Sequence, residues 1–327
     1  MSGPQTIRSV DGPRREKVVL VTGAGGFIGR HCLPLLNRLG YQVHVIGRNI
    51  PTGESLAHWH HADLFARDRV RDVLETVRPT HLLHLAWITT PGEYWTSPRN
   101  QDWVSASLDL SRSFIAAGGQ RMTVAGSCAE YDWSYGWCRE GTTPLAPSSA
   151  YGVAKLRLFV ALSLLSKETG ISLSWGRIFF PFGPGEDSRR LVASVCADLL
   201  AGRRANCSFG FQARDFLYVE DVAGALAALL DGPVDGPVNI GSGRPISVRE
   251  LVVRLADRIS SADRVDFGAR RSADEDIPLV AADIGRLRNV VGWRPTFSLE
   301  EALGRTVGWW PVSVMMGWHY GQNILVS

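Results

Sequence analysis

Lysine is scarce in this chain of 327 residues: Lys17, Lys155 and Lys167 stand against 32 arginines. The five cysteines form no Cys-x-x-Cys pair and have no histidine at metal-ligand spacing, so we expect free thiols and no metal site. The net charge of +3 is not gathered into a basic run, and no zinc-finger spacing or basic arm occurs. Nucleic acid is therefore not an expected partner.

Long apolar runs are also missing. No window of about 20 residues is apolar enough to span a membrane, so no membrane partner is expected. The first 17 residues are polar and contain no apolar stretch of the kind found in secretory signals. Hydrophobic residues make up 45% of the chain and charged residues 20%, which is typical of a globular enzyme. We therefore expect a soluble, cytoplasmic protein.

Short apolar runs alternate with helical periodicity along the first half of the chain. The pattern predicts strands at 17–22, 41–46, 81–86, 121–126 and 171–178, and helices at 27–39, 66–78, 101–118 and 150–168. Alternation of this kind indicates an α/β fold with a doubly wound parallel sheet of the Rossmann type.

The pattern changes after residue 177. A loop is predicted at 179–185, a helix near 188–201, a return to the sheet at 214–230 and 237–241, and two further helical stretches within 245–310. We therefore predict a smaller interleaved substrate lobe beside the nucleotide lobe. The predicted domains are 17–177 plus 212–243 for dinucleotide binding and 178–211 plus 244–310 for substrate, with tails at 1–16 and 311–327.

A glycine-rich turn, Val-Thr-Gly-Ala-Gly-Gly-Phe-Ile-Gly, joins the first predicted strand to the first helix. Its glycines follow the spacing Gly23-x-x-Gly26-x-x-Gly29. Glycine lets the backbone turn tightly and approach a pyrophosphate, while the helix N-terminus presents free N–H groups to the anion. The turn therefore predicts a dinucleotide site that includes Gly23, Gly26, Phe27, Ile28 and Gly29.

The end of the second predicted strand bears on the form of the cofactor. A carboxylate there would bind the ribose hydroxyls of NAD, but Arg48 follows this strand, and no acidic residue occurs before Glu54. A guanidinium can bind the extra phosphate of NADP, so NADP is favoured and NAD is the alternative. Arg48 could instead be a solvated loop residue or stack on adenine. Asp63 is predicted either to accept from the adenine amine or to cap a helix.

Tyr151 and Lys155 lie four residues apart on a predicted helix and so share a face. Free tyrosine has a pKa near 10 and is a poor base at neutral pH, but a nearby ammonium stabilises its phenolate. Such a tyrosine can move a proton on or off an alcohol while hydride moves at the carbon. Ser127 ends a predicted strand at the same edge of the sheet and could hydrogen-bond the substrate carbonyl. These three residues are the predicted catalytic set, and Lys155 is also expected to reach the ribose of the cofactor.

These motifs resemble the extended short-chain dehydrogenase/reductase superfamily, in its nucleotide-sugar epimerase/dehydratase/reductase branch. The matching segments are 22–29, His-Leu-Ala at 84–86, Ser-Cys-Ala-Glu-Tyr at 127–131, Tyr-Gly-Val-Ala-Lys at 151–155, Arg-Asp-Phe-Leu-Tyr-Val-Glu-Asp-Val-Ala at 214–223, Asn-Ile-Gly-Ser-Gly at 239–243 and Gly-Trp-Arg-Pro at 292–295. They cover roughly residues 17–310 in the expected order.

The resemblance implies a cofactor in the large lobe and a nucleoside-diphosphate sugar in the small one. It places Arg214 on the sugar-nucleotide diphosphate and Phe179 beside the nicotinamide, and it adds further cofactor contacts from Leu64, Leu85 and Ala86. It also implies a homodimer paired through the helices near 101–118 and 151–168.

The reaction is harder to assign. Sugar 4,6-dehydratases of this superfamily place Asp-Glu directly after the catalytic hydroxyl residue, whereas this chain has Cys128 and Ala129, so dehydration is disfavoured. Arg48 favours an NADPH-dependent reductase of a 4-keto-6-deoxy sugar nucleotide. The alternative is an epimerase that keeps NAD bound and returns hydride to the same sugar. A non-catalytic nucleotide-sensing protein is a second alternative, which the retained Tyr151 and Lys155 disfavour.

An aromatic segment departs from the usual pattern of that superfamily. Residues 87–95 contain Trp87, Tyr94 and Trp95, and Trp103 follows. Flat rings at this edge of the sheet could stack on a sugar or a base, or they could form a packed loop under the second lobe. We expect Trp87 to contact substrate, together with Cys128, Ala129 and Arg214.

Overall fold

Seven parallel strands form the main sheet of the protein, in the order β12-β7-β5-β4-β1-β2-β3. The structure, a computed structural model, describes residues 17–51, 55–271 and 277–315. The strands are β1 Val18–Thr22, β2 Gln42–Gly47, β3 His58–His61, β4 His81–His84, β5 Arg121–Ser127, β7 Ser172–Ile178 and β12 Gly236–Ile240. The expected doubly wound parallel sheet is confirmed. Its strand order reverses between β1 and β4, where such sheets bind ligands.

Helices cover both faces of this sheet. On one face α1 and α6 pack together, and on the other α2, α3 and α4 lie side by side. Their bounds are α1 Gly29–Arg38, α2 Arg67–Val77, α3 Asn100–Ala116, α4 Ala150–Thr169 and α6 Val219–Asp231. The strands between them are buried on both faces, which explains why the sequence shows continuous apolar runs such as Val18–Thr22.

The second lobe holds small sheets and three helices around its own core. A four-stranded sheet has the order β13-β10-β15-β6, and the pairs β11–β8 and β14–β9 are separate. Leu199, Leu251, Leu255 and Leu303 are among the buried residues that α5, α7 and α9 contribute to this core. The strands are β6 Trp137–Cys138, β8 Phe180–Phe182, β9 Ala205–Cys207, β10 Ala213–Arg214, β11 Phe216–Tyr218, β13 Ile246–Ser247, β14 Val265–Phe267 and β15 Leu279–Ala282. The helices are α5 Leu191–Leu200, α7 Val248–Arg258 and α9 Leu299–Met315, and the short α8 Gly285–Asn289 lies beside β12.

The structure differs from the sequence expectations in several segments. The predicted loop at 179–185 contains the strand β8, which pairs with β11. The strand β3 was not predicted, because His-Trp-His-His lacks an apolar alternation. The segment predicted to return to the sheet at 214–230 instead forms β10 and β11 of the second lobe, followed by α6. The helix α9 runs on to Met315, into residues predicted as a tail. The predicted tail at 1–16 and residues 316–327 of the predicted tail at 311–327 lie outside the described residues.

All five cysteines are buried free thiols. Within the described ranges, no group of three or more histidine, cysteine or acidic side chains is placed to hold a metal ion. No helix in the same ranges is long and apolar enough to cross a bilayer.

Candidate active site

The glycine turn lies at the carboxyl edge of the sheet, between β1 and α1. Gly23 has a φ of +74°, and a Cβ there would lie 2.7 Å from the backbone nitrogen of Ala86. A Cβ on Gly29 would lie 2.2 Å from the carbonyl oxygen of Gly23. The backbone of the turn therefore packs against itself and against Ala86, just after β4. Only glycine fits at positions 23 and 29. Its tightness suits a phosphate group at the N-terminus of α1.

A buried histidine fixes the neighbouring strand end. His84 Nδ1 lies 2.6 Å from Thr22 Oγ1 and its Nε2 lies 2.8 Å from Ser107 Oγ, while Thr22 Oγ1 also accepts from the backbone N–H of Ala86. Burial, with a smaller effect of Lys155, lowers the pKa of His84 to about 3, so its imidazole is neutral. Sequence reasoning matched the His-Leu-Ala segment without assigning this role to the histidine.

The residues predicted to bind the adenosine part of the cofactor follow the strands β2 and β3. Arg48 is exposed, one residue beyond β2. Asp63 follows β3, and its carboxylate accepts from the backbone N–H of Phe65 at 3.0 Å. The N-cap of α2 is Ala66, so Asp63 does not cap that helix. Leu64 is buried in the core beneath α2 and α3.

The helix α4 carries Tyr151 and Lys155 in its first two turns. Ser149 caps it by accepting from the backbone N–H of Gly152 at 3.1 Å. A Cβ on Gly152 would lie 2.2 Å from the carbonyl oxygen of Ala129, so the start of α4 touches the segment after Ser127 directly. This close approach brings the three predicted catalytic residues to one edge of the sheet.

Lys155 is buried between β5 and an indole. Its Nζ donates to the carbonyl oxygen of Ala125 at 2.8 Å and lies 3.8 Å from the centre of the Trp87 ring. Burial lowers the pKa of Lys155 to about 7, and the charge of Glu130 acts in the opposite direction. The ammonium is therefore held in place without a carboxylate contact.

Tyr151 lies beside Ser127. Burial raises the pKa of Tyr151, nearby Tyr94 raises it further, and a hydrogen bond with the Ser127 side chain lowers it. Ser127 Oγ accepts from the backbone N–H of Ala129 at 3.2 Å, and the Ser127 N–H donates to Glu130 at 2.7 Å. These bonds fix both the backbone and the hydroxyl of the serine at the end of β5.

A buried ion pair between Glu130 and Arg177 lies beside Ser127, and it was not predicted from the sequence. Glu130 accepts from Arg177 Nε at 2.7 Å and from Trp175 Nε1 at 3.0 Å. Arg177 also donates to the hydroxyl of Tyr131, which in turn donates to Asn239 at 2.8 Å. The network joins β5, β7 and β12. Its partners are distant in sequence, so no local pattern indicated it.

The aromatic segment covers Tyr151. The rings of Tyr94 and Trp95 meet the Tyr151 ring edge-on, with centroids 5.0 and 5.6 Å away, and Trp87 lies 6.5 Å away. Asn100 holds the segment, because its side chain accepts from Trp87 Nε1 and donates to the carbonyl oxygen of Tyr94. The segment is therefore anchored over the candidate catalytic residues.

Three of the residues expected to contact substrate follow the strand β5 or lie in β10. Cys128 and Ala129 are buried directly after Ser127, and Phe179 is buried directly after β7. Arg214 is buried in β10, where it donates to the carbonyl oxygens of Ala213 and Ile277, and its guanidinium lies 5.7 Å from the Phe180 ring. Arg214 thus lies next to Phe180, with its guanidinium held by backbone carbonyl groups.

Comparison with known proteins gives a consistent result. The profile of the NAD dependent epimerase/dehydratase family matches residues 19–241. Among curated proteins, UDP-glucuronic acid decarboxylase 1 of Xenopus tropicalis is 25% identical over 312 residues, covering 89% of this chain and 72% of that protein. UDP-glucose 4-epimerase of Rhizobium leguminosarum bv. trifolii is 26% identical over 321 residues, covering 90% and 97%.

Solved structures show the same likeness. MoeE5 in complex with UDP-glucose and NAD is 30% identical to this chain, with a TM-score of 0.77. The match covers 90% of this chain and 99% of MoeE5.

Proposed function

Because the chain belongs to the NAD dependent epimerase/dehydratase family, we propose that it is a nucleotide-sugar epimerase. The resemblance to the short-chain dehydrogenase superfamily is confirmed by this membership. One observation carries the proposal: Ser127, Tyr151 and Lys155 converge at one edge of the sheet, and the residues after the serine are the apolar Cys128 and Ala129. This set suits reversible oxidation of a ring alcohol and offers no carboxylate for elimination.

Each side chain has a distinct part in the proposed reaction. Burial raises the pKa of Tyr151, so its phenolate form depends on positive charge nearby. As phenolate, Tyr151 takes the hydroxyl proton of the ring alcohol while the carbon loses hydride, which leaves a ketone. Ser127 donates a hydrogen bond to that oxygen, and Lys155 stabilises the phenolate. When bound, NAD would accept the hydride and return it. Tyr151 then gives the proton back, so delivery of hydride to the opposite face produces the epimer with no net redox change.

Loss of water would need a further acid or base beside the serine. Burial raises the pKa of the Cys128 thiol well above its usual value, and Ala129 has no functional group. Glu130 is the next residue, but its carboxylate is fully buried and bonded to Trp175 and Arg177. The Glu130 carboxylate is therefore not available as an acid or a base for substrate, which supports epimerisation over dehydration.

The cofactor fits the glycine turn described above. Gly23, Gly26 and Gly29 would lie against its pyrophosphate, and Phe27, Ile28, Leu85 and Ala86 border the same edge of the sheet. NAD is favoured by the family and by its presence in the MoeE5 complex. The preference for NADP stays a prediction from Arg48. The same exposed arginine keeps an NADPH-dependent reductase of a 4-keto-6-deoxy sugar nucleotide as the second candidate.

Analysis of the purified protein tests the assignment. We expect acid to release NAD from it, and proton NMR to show UDP-glucose, UDP-N-acetylglucosamine or UDP-6-deoxyglucose turning into its 4-epimer. Tyr151→Phe should abolish the conversion. Stoichiometric consumption of NADPH with a 4-keto sugar nucleotide, and no epimer from any of the three, would instead establish the reductase.

We propose further that two copies pair through α3 and α4. These helices pack side by side, and Val160 and Leu164 expose 49% and 54% of their surface one turn apart on α4. Leu164→Glu should turn a dimer into a monomer in size-exclusion chromatography with light scattering, whereas Leu39→Glu should not. A monomeric wild-type protein would contradict the pairing.

A further inference from the structure

A continuous aromatic wall runs from the candidate catalytic tyrosine towards the second lobe. It consists of Trp87, Tyr94, Trp95, Trp133 and Phe180. Trp95 meets the ring of Tyr151 on one side at 5.6 Å and that of Trp133 on the other at 6.1 Å, both edge-on. Trp133 in turn lies 6.2 Å from Phe180, close to Arg214. The rings of this wall that contact Tyr151 would therefore border a sugar whose alcohol reaches its hydroxyl.

Two polar groups of the wall that could have bound sugar hydroxyls are already hydrogen-bonded within the protein. Trp87 Nε1 donates to Asn100 at 2.9 Å, and Trp133 Nε1 donates to the carbonyl oxygen of Cys128 at 2.8 Å. Phe180 has no polar atom in its side chain, and Cys128 and Ala129 are buried and apolar. Tyr94 adds one hydroxyl, and Trp95 adds one indole N–H. Most of the surface around the reacting position is therefore carbon.

The wall is also fixed in position. Asn100 donates to the carbonyl oxygens of Tyr94 and Ser97 at 2.7 and 2.9 Å, and the backbone N–H of Tyr151 donates to the carbonyl oxygen of Trp95 at 3.2 Å. Movement of the segment would break these bonds and leave buried polar atoms unpaired. A hydroxyl that the wall does not suit therefore cannot be accommodated by a small shift of the loop.

These contacts distinguish between possible sugars. A sugar hydroxyl that packs against carbon loses its hydrogen bonds to water and gains none from the protein, which lowers affinity about 10- to 100-fold. A methyl group in the same place gains affinity because its apolar surface is buried. With the reacting alcohol at Tyr151, the substituents nearest the rings would be those on the carbons flanking that alcohol.

We propose that the aromatic wall selects a nucleoside-diphosphate sugar deoxygenated beside its reacting alcohol, such as a 6-deoxy sugar with a methyl group. The inference rests on the proposed function in one respect, namely that Tyr151 receives the reacting alcohol. It makes the wall a specificity-determining surface for that sugar.

Binding to the Tyr151→Phe variant loaded with NAD tests the proposal without turnover. In isothermal titration calorimetry, UDP-6-deoxyglucose should bind about 10-fold more tightly than UDP-glucose. Equal binding, or tighter binding of UDP-glucose, would overturn the proposal. UDP alone serves as the reference for the nucleotide part of the site. Failure of both sugars to bind where UDP binds would count against the wall and against the epimerase alike.

A second substitution links any preference to the wall. Trp95→Gln, added to the same variant, supplies an amide that can pair with a hydroxyl, so the preference for the 6-deoxy sugar should fall several-fold while UDP binding is unchanged. Trp137→Gln, at a half-exposed tryptophan of β6 outside the wall, should leave the preference intact. If Trp95→Gln had no more effect than Trp137→Gln, the wall would not be the cause. A strong 6-deoxy preference in this variant, together with no epimer formation by the wild-type protein, would refute the epimerase and leave this proposal standing.

Discussion

Arg177 Nε donates to the Glu130 carboxylate at 2.7 Å, and both side chains are almost fully shielded from solvent beneath Ser127. The same carboxylate accepts from the backbone N–H of Ser127 at 2.7 Å. One ion pair therefore links the position of a candidate catalytic residue to the packing of β5 against β7. Breaking it is expected to affect both stability and turnover.

Glu130→Gln should destabilise the protein strongly, because it leaves the Arg177 charge buried without a counter-ion. Removing one partner of such a pair typically costs about 3–5 kcal/mol. Urea denaturation measures the loss. Turnover should fall as well, because the single amide oxygen of glutamine cannot accept from Ser127, Trp175 and Arg177 together. Glu300→Gln removes an exposed partner of Arg254 and Arg258 and should cost less than about 1 kcal/mol. Similar losses in the two variants would show that the buried pair contributes little.

Lys155→Met should change the dependence of stability on pH. Burial lowers the pKa of Lys155 to about 7 in the folded state, from 10.5 in the unfolded chain. Between these values the unfolded state binds more protons, so this residue makes the wild-type protein gain stability as pH rises. Below pH 7 the buried ammonium costs its full amount. The variant should therefore have its largest advantage in Tm near pH 6, and that advantage should shrink steadily towards pH 10. A difference in Tm that stays constant with pH would contradict the neutralisation of Lys155.

Local patterns allowed the sheet, the glycine turn and the Tyr151–Lys155 pair to be predicted. Each of these depends on residues a few positions apart. The Glu130–Arg177 pair and the His84 contacts could not be predicted, because their partners come from other strands and helices. The strand β3 was missed for a related reason: pairing with β2 holds it in the sheet, and its own sequence lacks the expected alternation.

Asn100→Ala should loosen the aromatic wall. Asn100 is buried and makes three hydrogen bonds, to Trp87 and to the carbonyl oxygens of Tyr94 and Ser97. Its loss leaves these groups unpaired, at about 1–3 kcal/mol for each buried one. We expect a lower Tm and a KM for the nucleotide sugar raised about 10-fold, with NAD affinity unchanged. Ser105→Ala, which removes an exposed hydroxyl bonded within α3, serves as the control. An unchanged KM would show that the hydrogen bonds of Asn100 have no part in substrate binding.

Gly152→Ala should impair catalysis even though alanine favours helix formation over glycine. The added Cβ would lie 2.2 Å from the carbonyl oxygen of Ala129 and 2.8 Å from Pro147 Cβ, and a backbone oxygen cannot rotate away as a side chain can. The start of α4 must therefore shift, which separates Tyr151 from Ser127. We expect kcat to fall at least about 10-fold, since misplacement of about 1 Å can cost a factor of about 100. Gly308→Ala is the matched control within α9, where nothing lies within 4 Å of the new Cβ, and it should stabilise the helix by about 0.5–1 kcal/mol. Full activity in Gly152→Ala would mean that α4 can move without disturbing the catalytic geometry, and the contact with Ala129 would then have no part in it.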